Sequence, residues 1–231
     1  MAAIKWDESS KRYYETGTSH GVLFPLGADG KYEKGVPWNG LISVKQSPDG
    51  AESKPIYANN NKYISMTSAE NFKGSISAYT YPEEFAACDG SKALVPGIYL
   101  GQQSRKPFGL VYSTIVGNDT EGIDYGEKMH FIYEAKVAPS SRDYSTVNED
   151  PEAIEFSWEF STTPAEVSEN LQHRGFKKTA YVCIDCTKLK SEDVKKIKDS
   201  VYGETGEPKM PSIDELLKIT GIILPPLDGN N

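Results

Sequence analysis

Strict alternation of apolar and polar residues predicts a β-strand with two unlike faces between Ile154 and Ser161. The two faces carry Ile154, Phe156, Trp158 and Phe160 on one side, and Glu155, Ser157, Glu159 and Ser161 on the other. A period of two residues is typical of a strand with one buried and one solvated face. The simplest interpretation is a sandwich strand with a solvated back, and that back is predicted to be uniformly acidic.

Other strands are predicted at short intervals along the chain. The candidates are 40–46, 63–66, 72–80, 108–116, 129–137 and 180–184. The sequence Ser47-Pro48-Asp49-Gly50 is a strong turn signal, and the polar stretch that continues through Asn61 is predicted to be a loop. Strands joined by short loops favour an antiparallel sandwich or barrel.

Helical patterns appear near the C-terminal end of the chain. In the segment Ser191–Tyr202, Val194, Ile197 and Val201 form a narrow apolar stripe that is suited to dock on a sheet, and Ser191 is the predicted cap. Ser212 and Glu215 have the spacing of a capping box at the start of a second helix. A shorter helix is predicted within 82–90.

These elements predict a mainly β structure with added helices, of the α+β class. We expect a single domain over residues 1–231. Residues 1–16 are predicted to form an N-terminal arm. Residues 165–231 are predicted to form a strand–helix segment that packs on the core.

Composition excludes some classes of function. The formal net charge is −8, and no basic cluster is dense enough to grip phosphates, so the chain is expected to repel DNA rather than capture it. No apolar run approaches the roughly 20 residues of a membrane-spanning helix. The first residues lack the apolar core of a signal peptide, so we expect folding in a cytoplasm.

Candidate chemistry is sparse. Cys183 and Cys186 form a CxxC pair, but a zinc site needs two more ligands, and the third cysteine and the three histidines are isolated in sequence. A redox pair of this spacing is usually found at a helix N-terminus, whereas this one follows a predicted strand. No nucleophile elbow and no glycine-rich phosphate loop is present. The chain is therefore interpreted as a non-enzyme without metal or cofactor.

Five segments, in order, resemble one protein family. They are Phe72-Lys-Gly-Ser-Ile-Ser-Ala-Tyr-Thr-Tyr-Pro-Glu-Glu-Phe85 with Cys88-Asp89-Gly90, then Pro107-Phe-Gly-Leu-Val-Tyr-Ser-Thr-Ile-Val-Gly-Asn-Asp119, Lys128-Met-His-Phe-Ile-Tyr-Glu-Ala-Lys136, Phe156-Ser-Trp-Glu-Phe-Ser-Thr-Thr-Pro164 and Met210-Pro-Ser-Ile-Asp-Glu-Leu-Leu217. The ordered set resembles the major tail proteins of long-tailed, non-contractile bacteriophages of Gram-positive bacteria.

The resemblance implies a tail tube protein with a β-sandwich-like core flanked by a helix. Such proteins form hexameric rings that stack into a tube for DNA ejection, and strands of six subunits merge into a barrel around the lumen. The implied partners are further copies of the chain, a tape-measure protein, a tail terminator, baseplate or tail-tip proteins, and double-stranded DNA in transit without specific binding. The implied location is the virion tail, assembled in the cytoplasm of the host bacterium.

Two kinds of functional residue are expected on this basis. Glu155 and Glu159 are candidates for the lumen wall, with an outer solvated face as the alternative. Contacts between subunits or rings are expected from an N-terminal group and from a group in the 47–61 loop. These residues are Trp6, Tyr13 and Tyr14, and Pro48, Asp49 and Gly50.

Two other classes of function remain open from sequence. A non-catalytic carbohydrate- or surface-binding β-sandwich module also fits an acidic chain with 14 tyrosines and 3 tryptophans. A hydrolase on a sandwich scaffold predicts a pocket with converging titratable groups, and no such group is apparent in the sequence.

Overall fold

The computed structural model describes residues 3–147 and 152–221. Met1 and Ala2 of the predicted N-terminal arm, and residues 222–231 of the predicted C-terminal segment, lie outside the described residues. The strands are β1 (Tyr13–Pro25), β2 (Val36–Pro37), β3 (Leu41–Gln46), β4 (Asp49–Gly50), β5 (Ser53–Ala58), β6 (Asn61–Thr67), β7 (Glu70–Asn71), β8 (Lys73–Ala78), β9 (Lys92–Val95), β10 (Ile98–Leu100), β11 (Phe108–Asn118), β12 (Gly122–Val137), β13 (Phe156–Thr162) and β14 (Tyr181–Asp185). The helices are α1 (Phe85–Cys88), α2 (Glu169–His173), α3 (Ser191–Tyr202) and α4 (Ile213–Ile219), with a 3-10 turn at Cys186–Lys188.

Eight strands form one antiparallel sheet that branches at β12. The order is β2-β1-β11-β12-β13-β8-β3, and β14 also pairs with β12. Residues 128–132 of β12 pair with β14, whereas residues 135–137 pair with β13. The long β12 strand therefore belongs to two parts of the sheet that continue in different directions.

The first core lies between these two parts. Leu23 of β1 and Leu110 of β11 share a buried cluster with Ile76 of β8 and Trp158 of β13. Since these strands are separated in the sheet order, the sheet must fold over so that its two parts face each other. Phe85 of α1 is buried in the same core.

The expected barrel is not closed. Within residues 3–147 and 152–221 no strand pairing joins β1 or β2 to β3. The side chains of Trp38 and Leu41 lie against Gly21 of β1 instead, where an added Cβ would come within 2.9 Å of Leu41 and 3.2 Å of Trp38. The barrel alternative is therefore wrong for the single chain, whereas a mainly antiparallel sheet with flanking helices is confirmed.

The second core lies on the opposite face of β1, β11 and β12, under the C-terminal helices. Ile197 and Val201 of α3 and Leu216 of α4 are buried against this face. The strands contribute Val22, Phe24, Val111, Met129, Phe131 and Tyr133. Helix α3 spans the predicted residues, but its N-cap is Lys190 and not the predicted Ser191, which is its first residue.

Helix α4 begins with the predicted capping box. The Ser212 hydroxyl accepts a hydrogen bond from the Glu215 N–H at 3.2 Å, and the Glu215 carboxylate accepts one from the Ser212 N–H at 2.8 Å. Both bonds satisfy backbone donors that the helix itself leaves unpaired.

A bulge in β12 changes which face its residues occupy. Glu134 has a positive φ of 45°, and the β11–β12 register shifts between Leu110–Ile132 and Phe108–Ala135. One extra residue inverts the alternation of a strand. Tyr133 therefore faces the helices together with Met129 and Phe131, whereas Ala135 and Val137 lie in the first core.

Candidate assembly surfaces

The most exposed part of the described chain is a projecting arm, residues 47–71, between β3 and β8. Strands β4 and β7 pair at its base, and β5 and β6 pair in its distal hairpin, Ser53–Thr67. Every side chain from 47 to 71 is exposed. The loop predicted through Asn61 is thus the first half of a two-stranded arm.

One face of the distal hairpin is apolar. Ile56 pairs with Ile64, and Met66 lies on the same face opposite Lys54. The exposed fractions of Ile56, Ile64 and Met66 are 42%, 50% and 60%. An isolated two-stranded hairpin is marginally stable in water, and exposed apolar rows of this kind are typical of surfaces that bind another protein.

A second exposed surface lies beside α1. Strands β9 and β10 form a hairpin on which Leu94, Ile98 and Leu100 are exposed. The Tyr99 hydroxyl donates a hydrogen bond of 2.7 Å to the Glu83 carboxylate and so holds this hairpin against the segment before α1. An open cleft of about 410 Å³ lies at that segment.

Both predicted lumen residues are exposed. Glu159 is on the outer face of β13, where the predicted alternation is confirmed because Trp158 and Phe160 are buried. Glu155 is exposed immediately before the strand, which begins at Phe156 rather than Ile154.

The outer face around Glu159 is mixed rather than acidic. Glu159 pairs with Ser75 of β8, and Ser75 pairs in turn with Lys45 of β3. In the adjacent row, Lys73 pairs with Ser161. Directly paired residues of antiparallel strands share a face, so serines and lysines surround the carboxylate. The acidity of one strand did not predict the charge of the face because the neighbouring strands come from distant sequence.

The N-terminal aromatic residues lie in different settings. Trp6 is 78% exposed and precedes the first strand. Tyr13 and Tyr14 belong to β1 and pair with Asn118 and Gly117, so residues 13–16 form the start of the sheet.

The predicted contact residues of the 47–61 segment lie at the base of the arm. Asp49 and Gly50 form β4 and pair with Asn71 and Glu70, and Asp49 makes an ion pair with Lys73. Pro48 precedes β4 and is exposed. The apolar residues at the distal end were missed as contact residues.

A polar cluster centred on His130 ties several strands together beside a cavity of about 320 Å³. His130 is buried, with Nε2 2.8 Å from the Thr114 hydroxyl and Nδ1 2.7 Å from the Tyr181 hydroxyl. Thr114 donates its proton to the Glu15 carboxylate at 2.7 Å. In neutral His130, Nε2 therefore donates to Thr114, and Nδ1 accepts from Tyr181.

The charges of this cluster follow from burial and hydrogen bonding. Burial lowers the pKa of His130 from its usual value of 6.5, although Glu15 opposes this effect. For Glu15, burial acts to raise the pKa, but hydrogen bonds from Lys128 and Thr114 outweigh it and the pKa is lowered. A neutral imidazole therefore links β12 to β14 at neutral pH, beside an ion pair between Glu15 and Lys128.

The burial of His130 is expected to make the stability of the protein depend on pH. As the pH falls below about 6.5, the unfolded chain takes up a proton on His130 before the folded chain does. The free energy of unfolding therefore decreases as the pH decreases. His130→Gln is expected to remove that component. Urea unfolding at about pH 7.5 and about pH 5.5 measures it.

The exposed residue His173 supplies the matched control, since His173→Gln should retain the slope of the wild type. An unchanged slope in His130→Gln would show that this imidazole does not set the pH dependence.

All three cysteine thiols have raised pKa values. Burial raises the pKa of the Cys186 thiol to about 11 and of the Cys88 thiol to about 12, and it also raises the pKa of Cys183. Within 3–147 and 152–221, no three His, Cys, Asp or Glu side chains are grouped to hold a metal ion. Over the same ranges, no helix has the length and apolarity needed to cross a membrane.

Comparison with known proteins does not identify a family for this chain. No protein-family model matches the chain, and no curated protein matches it. Among solved structures, the chain is similar to the PVC sheath/tube terminator of an extracellular contractile injection system in its extended state, determined by cryo-EM. The identity is 11%, the match covers 79% of this chain and 100% of that chain, and the TM-score is 0.33. A likeness at this level carries no argument about fold or function.

Proposed function

We propose that this chain is a structural protein of a bacteriophage tail, whose copies form hexameric rings that stack into a tail tube. The observation that carries the proposal is the arm at 47–71, which exposes an apolar face with no cover among the described residues. Folding does not benefit from a row of exposed isoleucine and methionine side chains, whereas binding to another protein does.

Open sheet edges support the lateral part of the proposal. β3 ends the strand order, and β14 also has one unpaired edge in the part of the chain that the structure describes. Unpaired strand edges invite pairing with another chain, and joining two different edges of successive copies is a heterologous contact, which generates a ring when its rotation closes. Hexameric rings are the form that the resemblance of the sequence implies.

The lumen is proposed to be lined by the outer face of β13, β8 and β3. Glu159 lies on this face and Glu155 is beside it. Short serine side chains and opposite charges in neighbouring rows leave no concentrated basic patch for phosphates, which suits DNA in transit. A structure of the tube with both glutamates on its outside would contradict this orientation.

The remaining partners follow from the sequence resemblance alone. We propose that the tube surrounds a tape-measure protein before DNA passes, and that it joins a tail terminator at one end and baseplate or tail-tip proteins at the other. The protein would then occupy the virion tail after assembly in the host cytoplasm, with no enzymatic activity.

Self-association is the property to test. Light scattering of the purified protein at increasing concentration is expected to show growth from small species to assemblies much larger than a hexamer. The alternative, a carbohydrate-binding module, predicts a constant monomer mass together with retention on a polysaccharide column. That result would overturn the proposal.

A further inference from the structure

The two ends of the β3–β8 strand pair carry different exposed surfaces. At one end, the Ser47 N–H donates to the Lys73 carbonyl at 2.8 Å, and the arm continues outward from there. At the other end, the Tyr79 N–H donates to the Gly40 carbonyl at 2.8 Å, and the cleft beside α1 follows. The arm and the cleft therefore lie at opposite ends of the same two strands.

The distal hairpin is a basic and apolar element in an acidic protein. Between Ser53 and Thr67 the only charged residues are Lys54 and Lys62, although the whole chain has a formal net charge of −8. The β4–β7 and β5–β6 strand pairs place the lysines and the Ile56–Ile64 pair beyond the end of the β3–β8 pair.

The cleft has the complementary character. Glu83 and Glu84 are both exposed at its rim, and Tyr81 and Val36 contribute its apolar lining. Glu83 accepts a hydrogen bond from Tyr99, which fixes the position of this carboxylate.

The cations of the neighbouring segments do not pair with the carboxylates of the cleft in the part of the chain that the structure describes. Arg142 is engaged in an ion pair with Asp89 and lies over the Tyr81 ring at 5.4 Å. Lys92 of β9 is the exposed cation of the neighbouring hairpin. Neither residue neutralises Glu83 or Glu84 through an ion pair in the described structure. Carboxylates beside an apolar cleft are suited to bind a basic apolar segment.

We propose that the distal hairpin of one copy docks in the Glu83–Glu84 cleft of the next copy, so that its two lysines, which lie on opposite faces of the hairpin, bring positive charge to the two carboxylates. This inference rests on the proposed self-assembly and names the surface that receives the arm. Because donor and acceptor lie at opposite ends of one strand pair, the contact can repeat head to tail along the strands without closing on itself. Copies would stack along the direction of β3 and β8, as growth of a tube requires.

Charge reversal tests this docking. The variant with Lys54→Glu and Lys62→Glu, and the variant with Glu83→Lys and Glu84→Lys, each place like charges at the contact. Each is expected to raise the protein concentration needed for assembly by about tenfold or more. All four substitutions in one chain restore opposite charges and are expected to restore assembly near the wild-type concentration. Sedimentation of the assembled fraction over a dilution series measures the change.

A matched control separates the contact from net charge. Lys177→Glu with Lys195→Glu makes the same change in total charge as the Lys54–Lys62 variant, at two exposed positions outside both surfaces, and it is expected to assemble as the wild type does. Circular dichroism should give the same spectrum for every variant, since all six substituted side chains are exposed.

The outcomes distinguish the two levels of the proposal. Normal assembly of either paired variant, or failure of the fourfold variant to recover, overturns the docking but leaves self-assembly in place if the wild type assembles. A wild-type protein that remains monomeric at all concentrations overturns the proposed function itself.

Discussion

Replacing residues 53–67 with a two-residue Asn-Gly turn is expected to abolish stacking and leave a folded subunit. The Ser68 N–H donates to the Glu52 carbonyl at 3.3 Å, so the ends joined by the new turn are already paired. Asn-Gly favours the turn type that closes such a hairpin. The concentration needed for assembly should rise at least about hundredfold, which corresponds to about 2.7 kcal/mol.

The subunit itself should be almost unaffected by this deletion. Every removed side chain is exposed, and none belongs to either core. The Tm is therefore expected to stay within about 2 °C of the wild type. Thermal unfolding by circular dichroism and tube length by electron microscopy measure the two properties. Tubes of normal length from the shortened chain would show that the distal hairpin does not carry stacking.

Substitutions on the two faces of the hairpin refine this test. Ile56→Thr with Ile64→Thr removes the apolar face but keeps β-branched residues that favour a strand, and it is expected to impair assembly. Ser53→Thr with Ser65→Thr changes the opposite face to the same small extent and is expected to assemble normally. Equal impairment of both variants would indicate that hairpin structure, and not its apolar face, is required.

Trp158→Ala is expected to have the largest effect on the stability of the subunit. Trp158 is fully buried in the first core, and its ring lies 5.0 Å from Phe85, 5.5 Å from Tyr81 and 5.9 Å from Trp38 between centroids. Truncation leaves a large cavity in this aromatic cluster. The free energy of unfolding should fall by about 3–5 kcal/mol, as measured by urea unfolding with circular dichroism.

Two further variants give this measurement its control. The indole Nε1 of Trp158 is buried and has no hydrogen-bond partner among the described residues. Trp158→Phe removes this donor and keeps an aromatic ring, so it should cost less than Trp158→Ala. Ser157→Ala, on the exposed face of the same strand, should change stability by at most about 0.5 kcal/mol. A loss below about 1 kcal/mol in Trp158→Ala would show that this cluster does not support the fold.

Local patterns in the sequence predicted the elements whose burial is periodic. The alternation around Trp158 marked a strand with one buried face, and the Ser212–Glu215 spacing marked the start of α4. In both cases the residues that determine the element are within a few positions of each other. The stripe of Ile197 and Val201 predicted a docked helix for the same reason.

Other features depend on residues that are distant in sequence. The bulge at Glu134 requires a positive φ at a residue type that rarely adopts it. The local sequence therefore did not predict that the residues of β12 exchange faces at this point. The strand at 63–66 was predicted, but β5 has no buried face and leads into the run Asn59–Asn61, which resembles a loop, so β5 was predicted as part of a loop. The charge of the face around Glu159 depends on Lys45 and Ser75, which only the strand register brings together.

The candidate acceptor surface was likewise invisible in sequence. Glu83 and Glu84 lie in the segment 82–90, for which a short helix was predicted, but their cleft also needs Val36 from a distant segment, and Tyr99 of β10 fixes the Glu83 carboxylate. The relation between cleft and arm arises only because β3 and β8 pair over their whole length.

Negative-stain electron microscopy of the purified, concentrated wild-type protein tests the central claim most directly. The account predicts stacked rings with a stain-filled lumen, sixfold end views and lengths that vary with concentration. Separate globular particles at every concentration, with no rings and no tubes, would contradict it.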